Sequence, residues 1–390
     1  MTDPAQLAGS AAEILERLIA FDTTSRQSNL ELIAFAEQRL SACGATFYRV
    51  GNAEGSKANL IARIGPETDG GVMLSGHTDV VPVDGQAWTS DPFVLTRRDG
   101  RFYGRGAADM KAFLALALAA APDFAAAGLK RPVQMAFSYD EEIGCLGAPS
   151  LIEALVRSGP RPSAVIVGEP TNMETVAGHK GIATFRVTVT GKEAHSSLTH
   201  LGVSAIMEAA KLIAALADIA AELARGADPS SPFIPKGASL TIGQIHGGTA
   251  VNILARECVF AFDLRAPPGV DARKVLKPVF DLAARLDTEL EARAPEAGVR
   301  IDQRSMTPPM RPDPEGAAEV LARRLAGDNG PARVVSYAAE AGQFQEAGYS
   351  TVICGPGSIE QAHQPDEYLE VSQLERGAAF MTRLVEHLAQ

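Results

Sequence analysis

Short apolar runs of strand length alternate with helix-length segments along this chain, and the alternation changes character only in the middle. "NLIARI" (59–64), "GVMLS" (71–75), "VQMAFSY" (133–139) and "AVIVGE" (164–169) read as buried strands. The strand at 71–75 is expected to stop at Gly76. Between the runs, "MKAFLALALAAAPDFAAAG" (110–128) reads as a helix of strong formers closed by Gly128, and "APSLIEALVRSG" (148–159) as another. Residues 10–42 read as helical around a loop near "DTTSRQSN", and a helix at 315–326, a strand at 350–354 and a helix at 372–388 resume the rhythm. A chain of this kind must build an α/β fold, here a mixed sheet with helices on both faces.

The middle follows a different period. "ATFRVTVTG" (183–191) alternates strictly, with Phe185, Val187 and Val189 on one face and Thr184, Arg186 and Thr188 on the other. A helix at about 202–225, strands at about 238–246 and 257–265, a helix at about 271–292 and a strand near 298–304 complete a ferredoxin-like βαββαβ order. The expected organisation is therefore a domain of residues 1–179 and 305–390 with residues 180–304 inserted as a second, smaller domain. A length of 390 residues suits two domains.

Polar residues collect where the strands end. His77 and Asp79 follow the first buried strand, and Asp109 precedes a helix. Glu141 and Glu142 follow the strand 133–139, Glu169 closes 164–169, and His363 follows 350–354. Open α/β sheets bind ligands at the carboxyl ends of their strands, so these residues converge on one edge. Two imidazoles and several carboxylates without cysteine suit zinc, cobalt or manganese. They are too many for one tetrahedral ion with an open position and suit two ions about 3.5–4 Å apart, with Asp109 as the bridge. Asp79 can accept the other ring N–H of His77 and fix its orientation. Of the adjacent Glu141 and Glu142, one can bind metal while the other faces substrate as general base.

The net charge of −11 and the absence of a basic run exclude nucleic acid and anionic membranes as partners. No uncharged run of about 18 residues reads as a membrane span. The N-terminal "MTDPAQLAGSAAEILERL" lacks the basic and apolar regions of a signal peptide. Cys43, Cys145, Cys258 and Cys354 form no C-x-x-C pair and read as reduced thiols of a cytoplasmic protein.

"SGHTDVVP", "GRGAADMKA", "DEEIGCLG", "GEPT", "GKEAHSS", "GGTAVNI" and "GPG…AHQPDEY", in that order, resemble the dinuclear-zinc amidohydrolases and exopeptidases called M20. The resemblance spans almost the whole chain. It implies metal ligation by His77, Asp109, Glu142, Glu169 and His363, Asp109 bridging two divalent ions, zinc or alternatively cobalt. Asp79 matches the residue that orients the first histidine and Glu141 the general base; a cis peptide is implied at Asp109-Met110. The inserted domain matches a lid and dimerisation domain, which implies a homodimer. His195 there matches a residue that polarises the scissile carbonyl in the partner's site, and Asn252 and Arg265 match substrate contacts. Within the family, "FDTTSRQSNLELI", "GPGSIEQAHQPDEYLE" and Glu340 in "EAGQF" are most similar to the acetylornithine deacetylase branch, with Glu340 facing a substrate ammonium group. Ala338-Ala339 and Thr199 depart from that branch's Gly-Thr and Pro. The implied activity is hydrolysis of the amide of a small N-acyl amino acid, N²-acetyl-L-ornithine first, in arginine biosynthesis. Desuccinylation of succinyl-diaminopimelate, general deacylation or dipeptide cleavage are the alternatives, and a silent ligand-binding homologue is the remote one.

Overall fold

The computed structural model describes residues 2–157 and 159–390. In order come α1 (Pro4–Ile19), α2 (Leu30–Ala42), β1 (Thr46–Gly51), β2 (Ala58–Ile64), β3 (Val72–His77), β4 (Thr96–Arg98), β5 (Arg101–Tyr103), α3 (Lys111–Ala126), β6 (Val133–Ser138), α4 (Ala148–Arg157) and β7 (Ala164–Pro170). Then follow β8 (Val176–His179), β9 (Gly181–Thr190), α5 (Ala205–Arg225), β10 (Ser239–Gly247), β11 (Glu257–Ala266), α6 (Ala272–Arg293) and β12 (Gly298–Thr307). The chain closes with α7 (Ala317–Ala326), β13 (Arg333–Val335), α8 (Ala341–Glu346), β14 (Thr351–Gly355), β15 (Tyr368–Glu370) and α9 (Val371–Ala389). Helix α1 starts earlier than expected because Pro4 occupies its first turn, where a missing N–H costs nothing. Of the expected helix 148–159, Ser158 lies outside the described residues.

The large sheet is mixed, in the order β1-β2-β6-β3-β7-β14-β8-β13. Its centre, β6-β3-β7-β14, is parallel. The chain passes from β3 to β6 on one side and then to β7 on the other, so strand order reverses at β3 and opens a crevice there. Leu74, Met135, Ile166 and Val352 enter the main core with residues of α1, α2, α3, α7 and α9. Ser75, one residue along β3, points the other way and meets Glu340 at the head of α8.

Gly76 does not end β3, which continues through His77. A Cβ at Gly76 would lie 2.5 Å from Met110 Cε, and one at Gly168 would lie 2.0 Å from Phe113 Cγ. These glycines admit the start of α3 against the ends of β3 and β7, and Asp109 is carried there with it. The Asp109-Met110 peptide is cis.

Two compact units result: Met1–Gly178 with Met310–Val334 and Ala339–Gln390, and His179–Pro309 with Val335–Ala338. The second begins near the expected position but ends later than 304, because β12 runs to Thr307, and it also takes in Val335–Ala338. It is a four-stranded antiparallel sheet, β10-β11-β9-β12, over which α5 and α6 close a separate core. Phe185, Val187 and Val189 are buried there, and Arg186 is exposed. No helix among the described residues is long and apolar enough to cross a membrane.

Candidate metal centre

His77 is the last residue of β3 and Glu169 lies near the end of β7, the two strands that flank the crevice. Asp109 enters from the turn before α3, Glu141 and Glu142 from the turn after β6, and His363 from the loop after β14. His363 adopts a left-handed backbone with φ of 63°, which turns its loop sharply.

Asp109 stands between the two imidazoles. Its Oδ1 is 3.0 Å from His77 Nε2, and its Oδ2 is 3.3 Å from His363 Nε2. His363 Nε2 also lies 3.0 Å from Glu142 Oε2, and His77 Nε2 lies 3.9 Å from Glu169 Oε1. Candidate ligand atoms of His77, Asp109 and Glu142 lie within 4.8 Å of one another, as do those of His77, Glu141 and Glu169. Distance alone therefore admits Glu141 as a ligand too. One carboxylate with an oxygen toward each of two histidine-bearing groups is the geometry that a bridged pair of ions requires.

Asp79 is placed differently from the sequence expectation. His77 Nδ1 lies 2.9 Å from the backbone carbonyl of Asp79 and 3.6 Å from its carboxylate. A carbonyl only accepts, so Nδ1 carries a proton toward it, while Nε2 faces the Asp109 carboxylate. The Asp79 carboxylate instead accepts the backbone N–H groups of Glu141 (3.1 Å) and Glu142 (3.3 Å) and the Ser25 hydroxyl (2.7 Å). Asp79 thus orients the first histidine with its main chain and holds the paired glutamates with its side chain. The Cys145 thiol lies 3.1 Å from Glu141 Oε1.

The charges show what kind of group the cluster suits. Burial, reinforced by neighbouring carboxylates against the pull of the histidines, raises Glu141 to about 8 and Glu142 to about 7, and lifts Glu169 well above the carboxylate range. Asp109 resists burial because His363 and His77 hydrogen-bond it, and it stays below its usual range. The bond from Asp109 lifts His363 to about 10. His77 is raised despite its burial, through Asp109 and Glu169. Four carboxylates crowded in low dielectric demand positive charge, and protons on the histidines supply only part of it. Nitrogen and oxygen donors of this kind fit two divalent ions.

Glu340 is not where the sequence reading puts it. It is 1% exposed, and its two oxygens accept the hydroxyls of Ser75 (2.6 Å) and Ser138 (2.7 Å). This buried tie between β3 and β6 offers no surface to a substrate ammonium. In the second unit His195 and Asn252 are exposed. Ser197 N–H donates to His195 Nδ1 at 3.2 Å, which leaves the neutral ring's proton on Nε2. Arg265 directs its Nε to Asp263 at 2.8 Å.

Sequence reasoning passed over Ser25, Arg105 and Glu367, all buried beside the site. One signal was present. "DG" at 99–100 has positive φ at both residues and closes the β4–β5 hairpin, which pairs with β15 and carries Glu367 to the Asp109 turn.

Residues 73–387 match the model of peptidase family M20/M25/M40. An acetylornithine deacetylase of Myxococcus xanthus is 38% identical over 381 residues, which is 96% of this chain and 96% of that one. An M20 family metallo-carboxypeptidase from Sulfolobus solfataricus has the same fold, with a TM-score of 0.76 at 18% identity over 97% of this chain and 99% of that one. A dinuclear metal-binding M20 peptidase of Bacillus subtilis superposes with a TM-score of 0.62 at 18% identity, covering 98% and 99%. A centre of histidines and carboxylates at the strand ends, on a chain so matched, has one assignment: the protein is a hydrolase that belongs to peptidase family M20/M25/M40.

Proposed function

We propose that the chain hydrolyses the amide bond of small N-acyl amino acids, N²-acetyl-L-ornithine foremost, releasing acetate and L-ornithine. The observation that carries the chemistry is Asp109, with one oxygen toward each histidine. The substrate rests on the 38% identity to a deacetylase over nearly the full length. In this reading His77, Asp109, Glu142, Glu169 and His363 hold two zinc or cobalt ions. When bound, the ions supply Lewis acidity toward the amide carbonyl and acidify water.

Glu141 is assigned as the base. It takes a proton from the attacking water and returns it to the leaving nitrogen as the C–N bond breaks and the new C–O bond forms. His195 serves as a hydrogen-bond donor to the carbonyl oxygen in the partner subunit's site, a role that suits a proton on Nε2. Arg265 and Asn252 bind the amino-acid end, and a guanidinium oriented through its Nε suits an α-carboxylate.

The second unit, taken as residues 180–304 in the sequence reading, is assigned as lid and dimerisation domain. Exposed Leu201, Met207, Ile245 and Val251, together with the unpaired edge of β10, support a homodimer contact there. Four cysteines without disulfides suit the cytoplasm.

The enclosure of Glu340 and the Ala338-Ala339 departure favour one second reading, a deacylase of broader side-chain tolerance. Amine release by metal-loaded protein from N-acetyl-L-ornithine, N-succinyl-L,L-diaminopimelate and two neutral N-acetyl amino acids separates the readings. Chelator-sensitive turnover of acetylornithine alone supports the first; comparable rates on the neutral substrates support the second.

A further inference from the structure

Glu367 is 1% exposed, and four donors converge on its carboxylate. Oε1 accepts the backbone N–H groups of Ala108 (2.9 Å) and Asp109 (3.0 Å). Oε2 accepts Gly106 N–H (3.0 Å) and Arg105 Nη1 (2.7 Å). The whole turn that presents Asp109 is thus wrapped around one anion supplied from the far end of the chain. The sheet β4-β5-β15 brings it there, since Tyr368 pairs with Tyr103 and Gly104 N–H donates to the Glu367 carbonyl.

Arg105 continues the connection. Its Nη2 donates to Gln86 Oε1, its guanidinium lies 5.0 Å from the Trp88 ring, and Gln86 Nε2 donates to the backbone carbonyl of His363 at 2.9 Å. One network therefore grips the backbone at Asp109 and at His363, the residues that carry the bridging carboxylate and the second histidine.

We infer that Glu367 is a positioning residue of the metal centre: its carboxylate sets the Asp109 turn directly and steadies His363 through Arg105 and Gln86. The inference rests on the reading of Asp109 as a bridging ligand. The charge is needed as well as the shape. An amide at 367 has one acceptor oxygen for four donors, turns its own N–H groups toward two of them, and leaves the buried Arg105 uncompensated.

The test compares wild type, Glu367→Gln, Gln86→Ala and Asp109→Asn. Zn²⁺ and Co²⁺ affinity and stoichiometry are measured on the full chain by calorimetry and elemental analysis, alongside circular dichroism and melting of the metal-free proteins. Glu367→Gln is expected to weaken metal binding about 10–100-fold and to lower kcat more than it changes KM, in a protein that still melts cooperatively. Gln86→Ala, at a less buried position, is expected to shift metal affinity in the same direction by less. Wild-type affinity and kcat in a folded Glu367→Gln protein overturn the inference. Should Glu367→Gln fail to fold, Gln86→Ala decides, and wild-type metal affinity there overturns it. Retention of both ions by Asp109→Asn instead overturns the bridged-centre reading on which the inference depends.

Discussion

The two units hold their polar residues in opposite ways. In the first, His77, Asp109, Glu169 and Glu367 are buried and each contacts another of the four or its backbone, while the buried Glu340 holds Ser75 and Ser138. In the second, His195 and Asn252 are exposed and placed by backbone contacts such as Ser197 N–H to His195 and Ser196 N–H to the Asn252 carbonyl. Buried charges tolerate no vacancy, because removing one partner strands another in low dielectric. Exposed residues lose little when a neighbour changes, and they acquire a full environment only when a substrate or second copy arrives. The expectation is that the first set governs whether the centre exists, and the second governs what it does and how fast.

The strongest way to break that contrast is Glu141→Ala, at a half-buried position beside the buried set. As a base it should lower kcat by about 10²–10⁴-fold while both metals remain by elemental analysis. Loss of metal in place of turnover would make Glu141 the ligand that its distance to His77 and Glu169 permits. Next comes His195→Ala, expected to cost about 10²–10³-fold in kcat with metal content and melting temperature unchanged. Unaltered turnover would leave His195 a surface histidine. Arg265→Lys should act mainly on KM, raising it roughly tenfold through loss of a two-point carboxylate contact; an unchanged KM for acetylornithine removes it from the substrate site.

The smallest effect concerns stability. Burial lowers His179 to about 4, so the folded state keeps it neutral. Below pH 6.5 the unfolded chain binds a proton there that the folded chain refuses. Stability is full above that point and falls as pH drops from 6.5 toward 4, by about 1 kcal/mol at pH 5.5. His179→Gln should flatten that slope in urea titrations across the window, and an unaltered slope would refute the assignment.

Much of the first unit was legible from local pattern. Buried parallel strands are continuous apolar runs, and a His, Asp or Glu immediately beyond such a run has few bland explanations when five segments repeat it. Helix α3 was legible because strong formers fill it. The hairpin β4–β5 and strands β13 and β15 were missed, since three residues carry no period, and β1, β8 and the short α8 were missed as well. Glu340 was misread because a lone carboxylate at a helix start looks the same in sequence whether it faces water or two serines.

By itself the amino-acid sequence pointed to the buried central strands with their helices, to the βαββαβ order of the middle segment and to candidate metal-binding groups, because these follow from period, propensity and donor chemistry. Tertiary structure alone decided that the Asp79 carboxylate serves the glutamate turn, that Glu340 ties two strands, and that Glu367 cradles the Asp109 turn. Each of those depends on contacts between residues tens to hundreds of positions apart, and only sheet register and close packing specify which partners meet.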